Sequence, residues 1–215
     1  MMSPSDDLRI VRNRTFYERR LKRPFDLVVG SVVCLLAAVP MLLIALAVRV
    51  GLGKSVLYSQ ERVGRDGAPF TIYKFRTMRP DRRQRELEFP ENDRRGNNHK
   101  QADDPRHTGL GQFLRKLSLD ELPQLLNVMR GEMSLVGPRP EMVGVARQRG
   151  YLNHPRHEVL PGMTGPYQVS ELRLNGDLRD GLHLDVEYVN DLNFRNDLAY
   201  LIKTVTVMFG PSTGS

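Results

Sequence analysis

The sequence has 215 residues, with 32 Lys or Arg against 25 Asp or Glu and a formal charge of +7. A chain of this length can bury a hydrophobic core of its own. Its single cysteine, Cys34, excludes an internal disulfide and a zinc site with several cysteine ligands. Disulfide-rich secreted modules are therefore excluded. The mean hydropathy is negative, but the apolar residues are concentrated in one part of the chain.

The first predicted element is an apolar stretch of 22 residues, from Leu27 to Val48, that contains no charged side chain. As a straight helix it would be about 33 Å long, enough to cross a hydrocarbon core of roughly 30 Å. A signal peptide is a poor alternative because the stretch is too long and begins too late in the chain. The sequence therefore predicts a helix inserted in a membrane.

Basic residues flank this stretch on both sides. Residues 1–23 carry seven Lys or Arg and residues 49–83 carry nine, each against three acids. Cations favour the cytoplasmic side of a membrane, so two basic flanks favour a hairpin that enters and returns. Pro40 removes one backbone donor and would kink or break the helix at the turn. A single-pass anchor with a proline kink is the alternative, because prolines are common in membrane helices.

A β-hairpin is predicted next. Its strands are Val56 to Arg62 and Pro69 to Met78, and the Asp-Gly pair of Gly64-Arg65-Asp66-Gly67 is typical of the turn. Residues 79–107 are polar and charged and are predicted as a solvated loop.

Two helical patterns complete the chain. Apolar residues recur at helical spacing from Leu110 to Met129, with a predicted break near Pro123. The apolar face of Leu198 to Met208 predicts an amphipathic helix that lies on a membrane or on the core.

The basic charge also raises the possibility of a nucleic-acid partner. The sequence has no recognisable recognition helix, aromatic-rich strand or zinc site. Cations beside an apolar membrane segment are explained more economically by lipid phosphates. We therefore expect membrane lipids, and no nucleic acid, as partners.

An acidic pair, Asp120 and Glu121, follows the cations Arg115 and Lys116 in the segment LRKLSLDELPQLL. One interpretation is a capping box that begins at Ser118, with both acids stabilising a helix start. Pro123 argues against it, because it would lie inside that helix and clash with a carbonyl of the preceding turn. The alternative is that the two acids lie at an irregular point and serve chemistry.

The second candidate is Gly137-Pro138-Arg139-Pro140-Glu141. Prolines on both sides fix the backbone around the arginine, so its guanidinium can hold a phosphate with little loss of entropy. A rigid surface turn is the alternative. His154 and His157 have no third metal ligand nearby in sequence and are interpreted as surface residues.

An acidic pair, a fixed arginine and a membrane segment together indicate the handling of an anionic phosphate ester at a lipid interface. Mg²⁺ is the hard cation that suits carboxylate and phosphate oxygens. Attack by a carboxylate on phosphorus would give an acyl phosphate.

These residues also carry a family resemblance. The segments KRPFDLVVG, QERVGRDGAPFTIYKFRTM, SLDELPQLLNVMRGEMSLVGPRPE, LPGMTGPYQV and LDVEYV resemble the bacterial sugar transferases, the monotopic phosphoglycosyl transferases. The resemblance runs from about Lys22 to Thr204. It implies transfer of a sugar 1-phosphate from a UDP-sugar to polyprenyl phosphate, which gives polyprenyl-diphospho-sugar and UMP at the start of surface-glycan synthesis.

The resemblance assigns roles to individual residues. Asp120 would be the nucleophile that forms a phosphosugar-aspartate, and Glu121 would act as acid, base or metal orienter, with both acids holding Mg²⁺. Phosphate would be held by Arg115 and Arg139. Further substrate-binding candidates are Pro138, Pro140, Lys74 and Arg76.

The implied fold is α+β and mainly helical: a small catalytic domain with a β-hairpin, a re-entrant N-terminal membrane helix and interfacial amphipathic helices. The expected parts are a basic cytoplasmic segment 1–23, a membrane hairpin 24–50 broken at Pro40, and a catalytic domain 51–215. The expected location is the bacterial inner membrane, with the catalytic domain on its cytoplasmic face. The sugar and the oligomeric state stay open.

This chain also departs from the family pattern. Small members often have Ser before the proline of the membrane break, where this chain has Val39. Ser170-Glu171-Leu172-Arg173 replaces a frequent Ser-Gly-Arg. A catalytically inert membrane adaptor is the alternative function.

Overall fold

The computed structural model describes residues 14–53, 55–79, 106, 108–172 and 181–209, which are mainly helical. The helices are α1 (Lys22–Leu52), α2 (Gly109–Lys116), α3 (Leu125–Arg130), α4 (Val143–Gln148), α5 (Leu182–Asn190) and α6 (Phe194–Phe209). The strands are β1 (Leu57–Val63), β2 (Pro69–Phe75), β3 (Ser134–Val136) and β4 (Gly162–Thr164). A π-helical turn, Tyr17–Leu21, precedes α1, and 3-10 segments span Arg65–Gly67, Leu119–Gln124 and Pro155–Glu158.

Helix α1 is exposed along its middle and has buried residues near both ends. Only 6% of its most apolar 18-residue window is buried, whereas a core helix would be mostly buried. Near its start Asp26 and Gly30 are buried, and a Cβ on Gly30 would lie 3.5 Å from Val128 of α3. Near its end Val48 is buried, and a Cβ on Gly51 would lie 3.8 Å from Leu110 of α2. Both ends of α1 therefore lie against the rest of the protein.

Pro40 lies inside α1, and the chain is helical on both sides of it. The predicted break at Pro40 therefore does not separate two helices. The ring removes one backbone donor and leaves the carbonyl of Leu36 without its usual partner, which is a common origin of a bend. The re-entrant arrangement in a membrane stays a prediction.

The predicted β-hairpin is confirmed. Strands β1 and β2 are antiparallel, with a register that runs from Leu57 opposite Phe75 to Val63 opposite Pro69. The turn places Asp66 at φ 56° and Gly67 at φ 76°, which is the left-handed region that an Asp-Gly pair tolerates. The predicted loop over residues 79–107 lies almost entirely outside the described residues.

A second strand pair was not predicted. Strands β3 and β4 are parallel, with Ser134 opposite Gly162 and Val136 opposite Thr164. They lie in the main hydrophobic core, together with Val128 and Val189.

The 3-10 segment Pro155–Glu158 packs against α5. This contact encloses His157, which is 6% exposed, so the interpretation of His157 as a surface residue is wrong.

A network of buried polar groups fixes the start of α1. The ammonium of Lys22 lies 2.6 Å from Asp197 of α6, whose carboxylate also accepts from the hydroxyls of Tyr17 and Tyr188 at 2.7 and 2.8 Å. Asp26 accepts from the Ser134 hydroxyl at 3.0 Å and from the next backbone N–H at 3.1 Å. The network ties α1 to β3, α5 and α6.

Candidate active site

The acidic pair lies at an irregular point between two helices. Helix α2 ends at Lys116, and Ser118 takes a left-handed conformation with φ 53° and ψ 20° and makes no side-chain capping hydrogen bond. A 3-10 segment, Leu119–Gln124, then carries Asp120 and Glu121. The capping-box interpretation is therefore wrong. The break in the helix lies before Leu119, whereas the sequence placed it near Pro123.

Lys74 of β2 is the direct partner of this pair. Its ammonium lies 2.5 Å from Oε1 of Glu121. Burial alone would raise the pKa of Glu121, but the charges of Lys74 and Arg139 outweigh burial and hold that pKa below its usual range. Glu121 is therefore an ionised group of the site.

Asp120 is 9% exposed and has a different electrostatic environment. Burial and, after it, the charge of Glu121 raise the pKa of Asp120 to about 6, against the opposing charges of Lys74 and Arg115. Two adjacent carboxyls thus have pKa values moved in opposite directions. Such separation is typical of functional carboxylates, although structural ion pairs also cause it.

The hairpin contributes a second cation, Arg62, that sequence reasoning missed. Arg62 donates to the carbonyl of Pro140 at 3.2 Å and to the side chain of Gln60 at 2.6 Å. Burial and then the like charge of Arg139 lower its pKa to about 10, so it stays positively charged at neutral pH. The alternation of side chains in the hairpin could have identified Arg62, because it places Arg62 on the same face of the hairpin as Lys74.

Arg139 lies in the loop after β3, between the buried residues Pro138 and Pro140. Within the described part of the chain, its guanidinium makes no hydrogen bond and no ion pair, although its charge acts on Glu121 and Asp185. A half-buried guanidinium without a hydrogen bond or ion pair to the described residues fits the predicted phosphate-binding role.

The remaining candidates differ in their relation to the pair. Arg115 lies in the last turn of α2, and its charge lowers the pKa of Asp120. Arg76 follows β2, and its backbone N–H donates to the carbonyl of Val56. No hydrogen bond or ion pair among the described residues links the Arg76 side chain to Asp120 or Glu121. The structure therefore brings Arg115, but not Arg76, to the acidic pair.

The carboxylates of the site suit a magnesium ion, which needs few protein ligands, better than a metal ion whose ligands all come from the protein. The described residues contain no group of three or more His, Cys, Asp or Glu arranged to hold a metal. Mg²⁺ keeps several waters and binds through one or two carboxylates together with substrate phosphates. Asp120 and Glu121 supply two carboxylates, and the charge of the nearby Arg139 acts on Glu121, so the residues present match that requirement.

Comparisons with known proteins place this chain in a family. A family model described as bacterial sugar transferase matches residues 17–211. The uncharacterised sugar transferase EpsL of Bacillus subtilis is 40% identical over 185 residues, which is 86% of this chain and 85% of the relative.

Two longer relatives carry functional names. The UDP-glucose:undecaprenyl-phosphate glucose-1-phosphate transferase of Escherichia coli is 37% identical over 87% of this chain. The undecaprenyl-phosphate galactose phosphotransferase of Salmonella typhimurium is 40% identical over 88% of this chain. This chain spans 40% of the length of each. Because the family model covers most of its length, the chain belongs to the bacterial sugar transferase family.

Proposed function

We propose that this protein transfers a sugar 1-phosphate from a UDP-sugar to a polyprenyl phosphate, with Asp120 as the nucleophile. The observation that carries the proposal is the pairing of Glu121 with Lys74 beside Asp120, together with a guanidinium of Arg139 that has no hydrogen bond or ion pair among the described residues. Relatives named for glucose and galactose transfer to undecaprenyl phosphate support the same reaction class.

The first step forms a bond between Asp120 and the sugar-bearing phosphorus. A carboxylate oxygen of Asp120 attacks that phosphorus, and the bond to the bridging oxygen of UMP breaks with its electron pair. A pKa of about 6 leaves Asp120 mostly ionised at neutral pH, yet more basic than an ordinary aspartate. The products are UMP and a phosphosugar-aspartate.

The second step regenerates the free carboxylate of Asp120. A phosphate oxygen of the polyprenyl phosphate attacks the same phosphorus, and the bond to Asp120 breaks to release the carboxylate. The product is a polyprenyl-diphospho-sugar. Splitting one transfer into two displacements lets both substrates use a single site.

The cations near the acidic pair have different roles in this reaction. Lys74 holds Glu121 in place and leaves Asp120 free to attack. Arg139 and Arg115 stabilise the charge on the diphosphate oxygens, with Arg139 suited to bidentate contact. Mg²⁺ held by Asp120 and Glu121 would supply further charge neutralisation when it is bound.

We also propose that α1 holds the protein in the bacterial inner membrane as a re-entrant hairpin bent at Pro40, with the catalytic part on the cytoplasmic face. Both ends of α1 pack against the same body, whereas Leu35 and Leu42 in its middle are 78% and 70% exposed. Helix α6 adds an apolar face, with Ile202 and Val205 more than half exposed, which suits a lipid interface.

The test is turnover by the full chain in detergent or lipid nanodiscs. With Mg²⁺, undecaprenyl phosphate and UDP-glucose or UDP-galactose, we expect UMP release by the wild type and none by Asp120→Asn. The matched control is Asp66→Asn, which changes an exposed acid at the hairpin turn. Full turnover by Asp120→Asn would refute the mechanism. Membrane binding without turnover of any UDP-sugar would favour the inert adaptor.

A further inference from the structure

Three donors hold the backbone of the Pro-Arg-Pro segment, residues 138–140. The N–H of Gly162 donates to its first carbonyl at 2.9 Å. Nη2 of Arg156 donates to the carbonyl of Arg139 at 2.5 Å. Nη1 of Arg62 donates to the last carbonyl at 3.2 Å. All three carbonyls of the segment are therefore occupied, and two of the donors are arginine side chains.

Arg156 differs from Arg62 because it is fully enclosed. Its exposed fraction is 0%, and its partner Asp185 of α5, 2.7 Å away, is also 0% exposed. A side chain with no accessible surface cannot contact a substrate in this conformation. Its link to the site is the hydrogen bond to the backbone of Arg139.

Within the part of the chain that the structure describes, the ion pair of Arg156 and Asp185 leaves several of its buried polar atoms without hydrogen bonds, which limits its contribution to stability. Among the described residues, Nε and Nη1 of Arg156 and both carboxylate oxygens of Asp185 lack a partner that meets hydrogen-bond geometry. Burial raises the pKa of Asp185 to about 6 despite the charge of Arg156, so the carboxylate is only partly compensated. A buried ion pair of this kind often stabilises a fold no better than apolar side chains of similar volume. Its specific contribution is the position that it gives to the Arg139 backbone.

We propose that Arg156, held by Asp185, is a positioning residue that aims the guanidinium of Arg139 at the diphosphate of the nucleotide donor. The inference rests on the proposed function, because it assigns Arg139 to that diphosphate. Pro138 and Pro140 restrict the backbone on either side, and Arg156 fixes the carbonyl between them. Arg139 then pays little entropy when it binds phosphate, because its backbone is already ordered.

The test is calorimetric titration of the full chain in detergent with UDP and MgCl₂, which requires no knowledge of the sugar. Arg156→Lys keeps the charge but loses the planar fork that reaches the Arg139 carbonyl. We expect its Kd for UDP to rise about tenfold with unchanged stoichiometry, the usual scale for residues that orient a ligand-binding group. Arg147→Lys, at an exposed arginine of α4, is the matched control and should keep the wild-type Kd.

The double variant separates positioning from general packing. If Arg156 acts through Arg139, then Arg156→Lys adds nothing to the Kd of Arg139→Ala, so the two effects are non-additive. Asp185→Asn provides a second route and should raise the Kd in the same direction, again only when Arg139 is present.

Three results would overturn the inference: an unchanged Kd for Arg156→Lys, a loss of binding stoichiometry at unchanged Kd, or additive effects in the double variant Arg139→Ala/Arg156→Lys. The second result would show a folding defect. Wild-type protein that fails to bind UDP would instead refute the proposed function and the inference with it. Wild-type binding with normal binding by Arg156→Lys would refute the inference alone.

Discussion

The structure contains two clusters that each combine one lysine with two acids, one at the start of α1 and one at the acidic pair. They differ in how the carboxylates are partnered. At the start of α1, Lys22 lies between Asp26 and Asp197, and two tyrosine hydroxyls complete the ligands of Asp197. At the acidic pair, Lys74 contacts Glu121 and leaves Asp120 without an ion pair among the described residues. In the first cluster Asp197 is occupied by three side-chain donors, whereas the second keeps a carboxylate for a ligand.

The two clusters differ in how many donors their carboxylates accept from and in how far those carboxylates are exposed, more than in the charges that they contain. Asp197 is 0% exposed and accepts from three side chains. Glu121 is 24% exposed and accepts from one, while Arg139 beside it has no described partner. Changes in the first cluster should therefore alter stability, and changes in the second should alter activity.

The largest expected change in stability is at Asp197. Asp197→Ala leaves Lys22, whose side chain is 12% exposed, without its shorter ion pair, and it leaves two tyrosine hydroxyls without their carboxylate acceptor. This should cost about 3 kcal/mol of unfolding free energy. Denaturant titration in detergent, followed by circular dichroism, measures this cost. Glu61→Ala, at an exposed acid of β1, is the control and should change the unfolding free energy by less than about 0.5 kcal/mol. A loss that small for Asp197→Ala would break the comparison.

Arg139→Ala should give the opposite pattern. Its guanidinium makes no described contact, so we expect an unfolding free energy within about 0.5 kcal/mol of the wild type. Loss of a charge aimed at the diphosphate should lower kcat/KM for the donor by about 10²–10³. Arg139→Lys should restore part of the activity, because it returns the charge but not the bidentate fork. Equal activity for Arg139→Ala and wild type would remove Arg139 from the site.

His157 is a buried side chain outside both clusters, and the folded protein holds it in its neutral form. Burial and then the charge of Arg156 lower its pKa to about 3, below the ordinary value of 6.5. As the pH falls below 6.5 the unfolded chain takes up a proton that the folded chain refuses, so stability falls. From pH 7 to pH 5 the contribution of His157 to this loss should be about 2 kcal/mol, opposed by Asp120 and Asp185, whose raised pKa values favour the folded chain as the pH falls. His157→Gln should remove that contribution from the pH dependence of the unfolding free energy, with His183→Gln, at an exposed histidine, as control. A pH dependence equal to that of the wild type would contradict the prediction.

The smallest expected effect is at Ser118. A left-handed conformation in a residue other than glycine costs about 1 kcal/mol or more, and glycine adopts it without that penalty. Because glycine also loses more entropy on folding, Ser118→Gly should raise the unfolding free energy by less than about 1 kcal/mol. Ser118→Val, with a branched β-carbon, should lower it. Thermal unfolding in detergent distinguishes the two signs, and a stabilised Ser118→Val would contradict the geometry.

Local patterns predicted the elements that local interactions form. The Asp-Gly turn predicted the hairpin, a long uncharged apolar stretch predicted α1, and helical spacing of apolar residues predicted α6. Strands β3 and β4 escaped prediction because each has three residues, too few for a pattern, and their parallel pairing joins segments that are far apart in sequence. The helix break was misplaced because Pro123 fits a 3-10 segment, so the interruption falls at Ser118.

In the candidate site, too, the sequence predicted some residues and missed others. Asp120, Glu121 and Arg139 lie in short segments whose composition and resemblance identify them. The roles of Arg62 and Arg156 depend on a hydrogen bond to the Pro-Arg-Pro backbone, which exists only after folding. Arg156 looks like one of many surface arginines in the sequence, and its complete burial reveals its role.

The central claim is that Asp120 becomes covalently bound to the sugar phosphate, and one measurement tests it directly. The full chain is incubated with Mg²⁺ and UDP-glucose or UDP-galactose, without acceptor, and its peptides are analysed by mass spectrometry. The account predicts one hexose phosphate per chain on Asp120, with one equivalent of UMP released and the adduct lost when undecaprenyl phosphate is added. Turnover with acceptor but no adduct, or an adduct on another residue, would contradict it.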